Sequence, residues 1–287
     1  MTAARILREL TDRAVPVVAP LALDPLSALI AQSCGMQALY LGGGTLGYVK
    51  TGTEANLNLT DMAQTGMEIR AACQLPLILD AQCGWGDPMH MQRTLNVAEA
   101  VGFAALEIED QIMPKRAHHH IGIEHLIPEH LMIEKIKVAV GSRRDPDTII
   151  IARTNACRGA GVEEALKRGE AYRNAGADML MLLMKSPDEA RFIGERIGGP
   201  LVYMTLSGIS SIGMSPEDLS GLGYKIVVEG AAPFYARHLA LRNCYSAIAH
   251  WQADPSTRDM YKPLIEDVHH LIELNGLLEI ERRTVEK

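Results

Sequence analysis

The chain has 287 residues, 47% of them apolar, and a formal net charge of −7. This length suffices for one large core, and the acidic balance argues against a nucleic-acid-binding surface, which needs a basic stripe. No run of about 18 uncharged apolar residues occurs, so we expect no membrane span. The five cysteines lack a C-x-x-C spacing, which favours free thiols in a reducing cytoplasm over a disulfide framework.

Short, β-rich apolar runs alternate with helical segments along the chain. The opening stretch MTAARILRELTDRAV carries charges at helical intervals, which predicts an amphipathic helix rather than a secretory signal. The later apolar runs are mostly continuous, as is typical of parallel strands with both faces buried. The eight predicted strands cover residues 15–20, 38–43, 75–81, 105–110, 148–156, 179–183, 201–206 and 225–230.

Three of the intervening helices have recognisable ends. Residues 24–34 begin with Asp24 as the N-cap and Pro25 at the first helical position. Residues 161–177 and 186–199 each end at glycine, a common helix stop. Eight strands with helices between them predict an α/β fold, a (β/α)8 TIM-type barrel. A doubly wound open sheet is the alternative, and the missing Rossmann fingerprint after the first strand disfavours it.

Two further helical segments, 233–252 and 257–287, follow the eighth strand. A barrel needs only one closing helix, and the surplus segments carry apolar residues that must be covered. We therefore expect one barrel domain over 1–287 with a C-terminal helical extension, 233–287, that packs on a neighbouring subunit.

Polar residues mark the ends of several predicted strands, where barrel enzymes place their catalytic groups. The residues concerned are Gly42, Gly43, Gly44, Asp80, Gln82, Cys83, Glu107, Glu109, Arg153, Thr205 and Glu229.

The acids and the arginine among them each allow more than one interpretation. Asp80 and Glu109, on adjacent strands, suit a hard divalent cation such as Mg²⁺. Glu107 shares the parity of Glu109, and either faces the same site or forms an ion pair within the barrel. A buried Arg153 needs an anion, either a barrel acid or a substrate carboxylate. The glycines 42–44 either make a tight turn or present amides to a carboxylate or oxyanion.

The segment QIMPKRAHHHIGIEH, residues 111–125, follows Glu109 directly; we call it the histidine loop. Three consecutive histidines cannot all face one point, which disfavours a zinc site built from this loop alone. A solvated loop remains an alternative. So does a mobile catalytic loop, in which Lys115 or one histidine acts as acid, base or anion clamp.

These stretches resemble the isocitrate lyase / phosphoenolpyruvate mutase superfamily over nearly the whole chain. The matching segments are ALYLGGG, LPLILDAQCGWGD, ALEIEDQIMPKRAHHH, DPDTIIIARTNA, NAGADML and KIVVEGAAPFYARHLA. The chain is most similar in these motifs to the branch containing methylisocitrate lyase, dimethylmalate lyase and oxaloacetate decarboxylase. The resemblance implies a cytoplasmic barrel enzyme that binds Mg²⁺ or Mn²⁺ and exchanges its last helix within a homotetramer, a dimer of dimers.

The resemblance also implies roles for individual residues. Asp80 and Glu109 match metal ligands, and Arg153 matches the arginine that holds substrate oxygens. Gly43 and Gly44, with Gly42 before them, match a loop whose amides hold the substrate, and Thr205 ends a strand at the same mouth. Lys115 and residues 117–119 match a gating loop over the site.

The histidine loop departs from the family pattern at its acid. Related lyases carry a cysteine that supplies a proton to the departing carbanion, and Ala117 stands in its place here. A lyase reaction that uses this thiol is therefore excluded. His119 matches the family's histidine, so His118 or His119 becomes the candidate donor. The loop also lacks the Asn-Ser of phosphonopyruvate mutases.

Further departures lie around the metal and the substrate pocket. Gln82 replaces the second acid of the D-x-D metal motif and keeps an oxygen ligand without the charge. Gly42 replaces a serine, the acidic position near Ala55–Asn56 is expected to be neutral, and Leu183 replaces a glutamate after strand six. We expect weaker metal binding and a substrate with an apolar portion or one carboxylate fewer.

The function predicted from these features is a Mg²⁺-dependent carbon–carbon lyase, of the carboxy-lyase or oxo-acid-lyase type. Its substrate is a 2-oxo or 2-hydroxy acid, oxaloacetate-like or alkylmalate-like, which reacts through an enolate. The alternatives are a phosphonopyruvate-type hydrolase or mutase, and a non-catalytic relative that binds carboxylates. We expect neither a nucleic acid nor a membrane as partner.

Overall fold

The computed structural model describes residues 1–286. Their strands are β1 Val17–Pro20, β2 Leu39–Leu41, β3 Leu77–Asp80, β4 Ala105–Glu109, β5 Ile149–Thr154, β6 Met179–Leu182, β7 Leu201–Thr205 and β8 Tyr224–Glu229. The α-helices are α1 Ala3–Thr11, α2 Pro25–Ser33, α3 Gly43–Lys50, α4 Leu59–Ala72, α5 Met91–Val101, α6 Glu129–Ser142, α7 Ala156–Gly159, α8 Val162–Asn174, α9 Pro187–Ile197, α10 Pro216–Gly221, α11 Ala232–Ala249, α12 Tyr261–Leu271 and α13 Leu274–Thr284. Short 3₁₀ helices cover Glu54–Asn56, Pro88–His90, Ala117–Ile121 and Ile209–Ile212.

The eight strands form one parallel sheet in the order β1-β8-β7-β6-β5-β4-β3-β2. A parallel bridge between Leu21 and Tyr40 joins the two ends of this order. The sheet therefore closes on itself with helices between successive strands, which confirms the predicted (β/α)8 barrel.

The predicted strands are all present. The first seven are shorter than predicted by one or a few residues, and β8 is shifted by one residue towards the N-terminus. The largest functional difference is at strand two, which ends at Leu41, while Gly43 opens α3. The Gly43 amide donates a 2.8 Å hydrogen bond to the Asp80 carboxylate. This bond turns the chain out of the strand and towards the barrel mouth, so the glycines begin a helix rather than end a strand.

The helix signals in the sequence act as expected. Asp24 caps α2 by accepting a hydrogen bond from the Ser27 amide, and Pro25 occupies the first helical position. Ser186 caps α9 in the same way, through the Glu189 amide. Local chemistry therefore sets where these helices begin.

The core lies inside the barrel and between the strands and helices. Every residue of β3, β4, β5, β6 and β7 is buried. Most of these side chains are apolar, but Glu107, Glu109 and Arg153 are buried among them. Charged groups are rarely fully buried unless they are paired, so these residues mark a site that needs a separate explanation.

Contacts divide the chain into two units, Met1–Ala232 and Pro233–Lys287. The second unit contains α12, α13 and nearly all of α11, and none of these three helices has a buried residue. Within residues 1–286, no helix has both the length and the apolar character needed to cross a bilayer.

Candidate active site

Asp80, the last residue of β3, is fixed by two backbone amides. Its Oδ2 accepts the hydrogen bond from Gly43, and its Oδ1 accepts one of 2.9 Å from the Gln82 amide. Gln82 has a left-handed φ of 49°, which turns the chain sharply after the strand. The carboxylate is thus oriented by its own strand end and by the start of α3.

Three polar side chains converge on Gly43. A Cβ added to this glycine would lie 3.0 Å from Glu54 Oε1, 3.1 Å from Asp80 Oδ2 and 3.1 Å from Gln82 Nε2. Any side chain here would fill the space between these groups, so glycine is required by close approach. Gln82 Nε2 is buried and has no hydrogen-bond partner within residues 1–286.

Glu54 corrects an expectation made from the sequence. A neutral position was expected near Ala55–Asn56, but the adjacent Glu54 is 2% exposed and brings a carboxylate into the site. It lies in a short 3₁₀ helix after α3, far from any strand end. Reading strand ends therefore missed it, and the only signal in the sequence was an acid in an otherwise polar, uncharged loop.

Lys115 lies between two of these acids. Its Nζ contacts Glu54 Oε1 and lies 2.5 Å from Glu109 Oε1, and all three side chains are less than 5% exposed. Burial lowers the pKa of Lys115, but the carboxylates of Glu109 and Glu54 outweigh burial and raise it above its ordinary value. Lys115 is therefore a buried ammonium paired with Glu54 and Glu109. We call Glu54, Asp80 and Glu109 the acid cluster.

The two carboxylates that contact Lys115 respond differently to burial. Burial raises the pKa of Glu109, but Lys115 and Arg153 outweigh it and hold that pKa at about 2. For Glu54, burial raises the pKa above its ordinary value despite the opposing charge of Lys115. Glu109 is thus the firmly ionised member of the pair.

Arg153 is held by barrel side chains. Its Nη1 lies 2.7 Å from Glu107 Oε1 and its Nη2 lies 3.4 Å from Glu109 Oε2. Its Nε and Nη2 also donate to Asn155 Oδ1, while Asn155 Nδ2 donates to Glu109 Oε2 at 2.7 Å. Of the two anions considered for Arg153, the structure shows the barrel acids, and Glu107 is its main partner.

Glu107 is completed by Tyr40, whose hydroxyl donates a 2.9 Å hydrogen bond to Oε2. Burial raises the pKa of Glu107 to about 7, against the lowering effect of Arg153. Tyr40 had no signal in the sequence, because it occupies a strand position typical of core aromatics. Tyr40 therefore holds Glu107 by a hydrogen bond, and Glu107 in turn holds Arg153.

The three consecutive histidines face different partners. His118 Nδ1 lies 3.2 Å from His125 Nε2, and His120 Nδ1 lies 2.9 Å from the Tyr48 hydroxyl. Only His119 faces the acid cluster, with Nε2 3.4 Å from Glu54 Oε2. Within the described part of the chain, no three His, Cys, Asp or Glu side chains are grouped as a metal-ligand set, so a zinc site on this loop has no geometric support.

A cavity of about 380 Å³ lies at the ends of β6 and β7. Thr205 lines it, with its hydroxyl bonded to Ser211 and Gly208. Within residues 1–286, its side chain forms no hydrogen bond with the acid cluster. Leu183, 2% exposed, supplies an apolar wall, and Arg158 a positive charge. We call this space the distal cavity; its lining also includes Met184, Lys185, Ser186, Pro187, Tyr203, Met204, Leu206 and Ser207.

Cys83 is the thiol nearest in sequence to the predicted metal ligands. It is buried, its Sγ lies 3.6 Å from the Ile112 carbonyl oxygen, and burial raises its pKa to about 12. A thiol in this state is a poor acid and a poor nucleophile near neutral pH. Cys83 therefore does not replace the family's catalytic cysteine, whose position Ala117 occupies.

The acid cluster has the donor chemistry for a hard divalent cation. Asp80 and Glu54 place carboxylate oxygens around Gly43, and Glu109 joins them through Lys115. Mg²⁺ prefers such oxygens and uses few protein ligands. The described residues contain no ready set of three such ligands, and Lys115 lies against Glu54 and Glu109. Asp80 and Glu109 therefore suit Mg²⁺ as a pair of carboxylate ligands, with water or substrate oxygens completing its coordination.

A closed parallel barrel with buried acids, a lysine and an arginine at its mouth is the architecture of a barrel enzyme. The family model described as phosphoenolpyruvate phosphomutase matches residues 7–249. The chain belongs to this family, which confirms the resemblance found in its motifs.

Three relatives illustrate the match. The 2,3-dimethylmalate lyase of Eubacterium barkeri is 32% identical over 98% of this chain and 98% of its own length. The 2-methylisocitrate lyase of Aeropyrum pernix is 35% identical over 80% of this chain and 75% of its own. A crystal structure of phosphonopyruvate hydrolase with oxalate and Mg²⁺ superposes with a TM-score of 0.86 at 26% identity, over 99% of this chain and 100% of that one.

Proposed function

We propose that this chain is a carbon–carbon lyase that uses Mg²⁺ or Mn²⁺ and acts on a 2-oxo or 2-hydroxy carboxylic acid through an enolate. The observation that carries the proposal is the buried acid cluster, balanced by Lys115 and Arg153 at the barrel mouth. Burying so many charges is unfavourable unless they are paired or serve a ligand. Two curated relatives, the dimethylmalate and methylisocitrate lyases, support the reaction class.

Asp80 and Glu109, with Glu54 and Gln82 beside them, are the residues that would hold the metal. When bound, the metal supplies Lewis-acid stabilisation of the negative charge on the enolate oxygen. Hydrogen bonds within the chain already orient these two carboxylates. The backbone amides of Gly43 and Gln82 orient Asp80, and the side-chain amide of Asn155 orients Glu109.

Arg153 and the amides at the start of α3 are the groups that we expect to bind the substrate carboxylate. Hydrogen bonds to Glu107 and Asn155 fix Arg153, so its guanidinium is oriented before a substrate binds. Gly42 caps α3 and Gly43 gives its amide to Asp80. Gly44 in the first turn keeps an amide that the helix does not use. For Thr205, which lines the distal cavity, a contact with the distal part of the substrate stays a prediction.

His119 is our candidate for the side chain that protonates the enolate. Ala117 and the buried Cys83 leave no usable thiol, whereas His119 faces the acid cluster. Loss of CO₂ needs no proton on the leaving group, so a decarboxylation requires only that His119 or water protonate the enolate afterwards. In a retro-aldol cleavage of a 2-hydroxy acid, a carboxylate of the acid cluster would accept the hydroxyl proton as the C2–C3 bond breaks and C2 becomes the carbonyl carbon of the released 2-oxo acid. His119 would then protonate the enolate formed at C3.

A panel of oxaloacetate, alkylated oxaloacetates and alkylmalates tests this proposal. We expect release of a 2-oxo acid with Mg²⁺ or Mn²⁺, loss of release with a chelator, and recovery when metal is restored. Glu134→Gln, on the exposed face of α6, is the control and should match the wild type. An enzyme that releases neither CO₂ nor a 2-oxo acid from any member would refute the proposal.

Phosphonopyruvate hydrolysis is the second candidate, and the superposition with phosphonopyruvate hydrolase is the observation that favours it. The same preparation, given phosphonopyruvate, would release inorganic phosphate if this activity were present. Phosphate release without 2-oxo acid release from the carboxylate panel would replace the first proposal by this one.

We also infer that residues 233–287 are exchanged between subunits of a homotetramer. The support is the exposure of large apolar side chains in this unit, including Leu239 at 60%, Tyr245 at 65% and Trp251 at 99%. Surfaces of this kind are covered in stable assemblies. Sedimentation should give a tetramer, and a monomer of 31.3 kDa would contradict the inference.

A further inference from the structure

Glu124 is a buried acid in the histidine loop that none of the roles above uses. Its side chain is 0% exposed, although the loop around it is largely on the surface. A carboxylate enclosed in this way is unfavourable unless its neighbours balance it. Its contacts therefore indicate what it does.

The two oxygens of Glu124 face different parts of the molecule. Oε2 lies 3.1 Å from His119 Nδ1 and accepts a short hydrogen bond from Gln111 Nε2. Oε1 lies 3.6 Å from Arg158 Nη1, in the wall of the distal cavity, and accepts no hydrogen bond within residues 1–286. Glu124 thus joins the imidazole of the loop to the cation of the cavity.

The contacts of Glu124 decide which nitrogen of His119 faces the site. Nδ1 is engaged by Glu124 and lies 2.9 Å from Gln111 Nε2. Whether Nδ1 donates to the first or accepts from the second, it is occupied away from the acid cluster. Nε2 is left facing Glu54. The flanking His118 and His120 have no such anchor, and their contacts lie elsewhere.

We propose that Glu124 is the positioning residue for His119, holding Nδ1 so that Nε2 points at the reacting carbon. This inference rests on the proposed function, in which His119 protonates the enolate. Ala117 cannot donate a proton as the family's cysteine does. In this proposal the His119 imidazole takes that role, and Glu124 sets its orientation. The other oxygen of the same carboxylate lies 3.6 Å from Arg158 Nη1, in the wall of the distal cavity.

A double-mutant cycle tests the proposal. Glu124→Gln keeps the shape of the side chain and removes its charge. We expect kcat to fall by about 10- to 100-fold, the range found for residues that orient metal-ligating histidines, with KM changed less than about threefold. In a His119→Ala background, the same substitution should change kcat by less than about threefold, because no imidazole remains to be oriented.

Glu129→Gln is the matched control, because Glu129 is a partly buried acid on α6 that pairs with Lys167. It should leave kcat and KM unchanged. If Glu124→Gln prevents folding, Glu124→Asp takes its place, with a smaller loss of kcat expected. Long-range ¹H–¹⁵N spectra should show the His119 ring nitrogens shifting in Glu124→Gln and not in Glu129→Gln, whether or not a substrate has been found.

Three results would overturn the inference. One is the same fold-loss from Glu124→Gln in both backgrounds, which would mean that it acts without His119. Another is an active wild type whose His119→Ala variant keeps full activity. That result would overturn the role of Glu124 and leave the lyase proposal intact. The third is an unchanged His119 spectrum in Glu124→Gln. Failure of the wild type on the whole substrate panel would instead refute the proposed function itself.

Discussion

Replacing Lys115 by methionine removes the ammonium from between Glu54 and Glu109 while keeping most of the side-chain volume. The lysine is 4% exposed and its two partners are 3% and 1% exposed, so water cannot take over the lost interaction. Removing one partner of a buried ion pair costs about 3–5 kcal/mol, because the remaining charge stays buried and unbalanced. We expect Lys115→Met to lower the free energy of unfolding by this amount.

Urea unfolding near neutral pH, followed by circular dichroism, measures the difference. Lys137→Met is the control, because Lys137 pairs with Glu134 on the surface and both side chains are more than half exposed. An exposed pair of this kind contributes less than about 1 kcal/mol. A Lys115→Met protein no less stable than the Lys137→Met protein would refute the assignment of Lys115 as the neutralising cation.

The pH dependence of this difference has a defined sign. The pKa of Glu109 is lowered to about 2 in the folded protein, so its contribution to stability is present above its unfolded pKa and lost as the pH falls. The pKa of Lys115 is raised, so its contribution persists through neutral pH and is lost only in strong alkali. The wild type and Lys115→Met should therefore differ most in stability between about pH 5 and 9 and converge only below about pH 2.

Adding a divalent cation should reduce the difference in unfolding free energy between the wild type and Lys115→Met. If Mg²⁺ occupies the place vacated by the ammonium, it stabilises the folded variant by about 2.7 kcal/mol at a concentration of 100 times its Kd. The wild type should gain less, since Lys115 competes for the same carboxylates. Equal stabilisation of both proteins would show that lysine and metal do not share these oxygens.

Three other predictions concern single side chains. Arg153→Lys should lower kcat/KM by at least about 100-fold in the 2-oxo acid assay, because lysine cannot contact Glu107 and Asn155 together. Glu54→Gln should weaken Mn²⁺ binding, measured by paramagnetic resonance, because a carboxylate beside the cation site becomes neutral. Iodoacetamide at pH 8 should alkylate the exposed Cys34 without loss of activity, since burial keeps Cys83 a thiol; inactivation with label on Cys83 would contradict the assignment.

The barrel and much of its mouth could be predicted because they follow from short-range rules. Continuous apolar runs identify buried parallel strands, and their last residues must meet at one end of the barrel. Asp80, Glu109 and Arg153 were found in this way, and the structure brings the three together around the acid cluster. Their placement is a property of the strand register rather than of any loop.

Glu54 and Glu124 could not be predicted in this way because they lie in irregular segments. Neither follows a strand, and each reaches the site through contacts that depend on the path of a loop. The histidines show the same limit, since one 3₁₀ turn directs His118, His119 and His120 to three different partners. The sequence pattern extends β2 through Gly43 for a related reason. The Gly43 amide donates a hydrogen bond to Asp80 at the start of α3, and Asp80 lies 37 positions away in the sequence.

The central claim is that the acid cluster is where a metal-dependent bond cleavage of a 2-oxo or 2-hydroxy acid occurs. Asp80→Asn tests it most directly, because the substitution keeps the size of the side chain and removes one negative charge from the cluster. With the substrate panel and saturating Mg²⁺, we predict 2-oxo acid release by the wild type and only the metal-catalysed background with the variant. Equal rates for the two proteins would contradict the account.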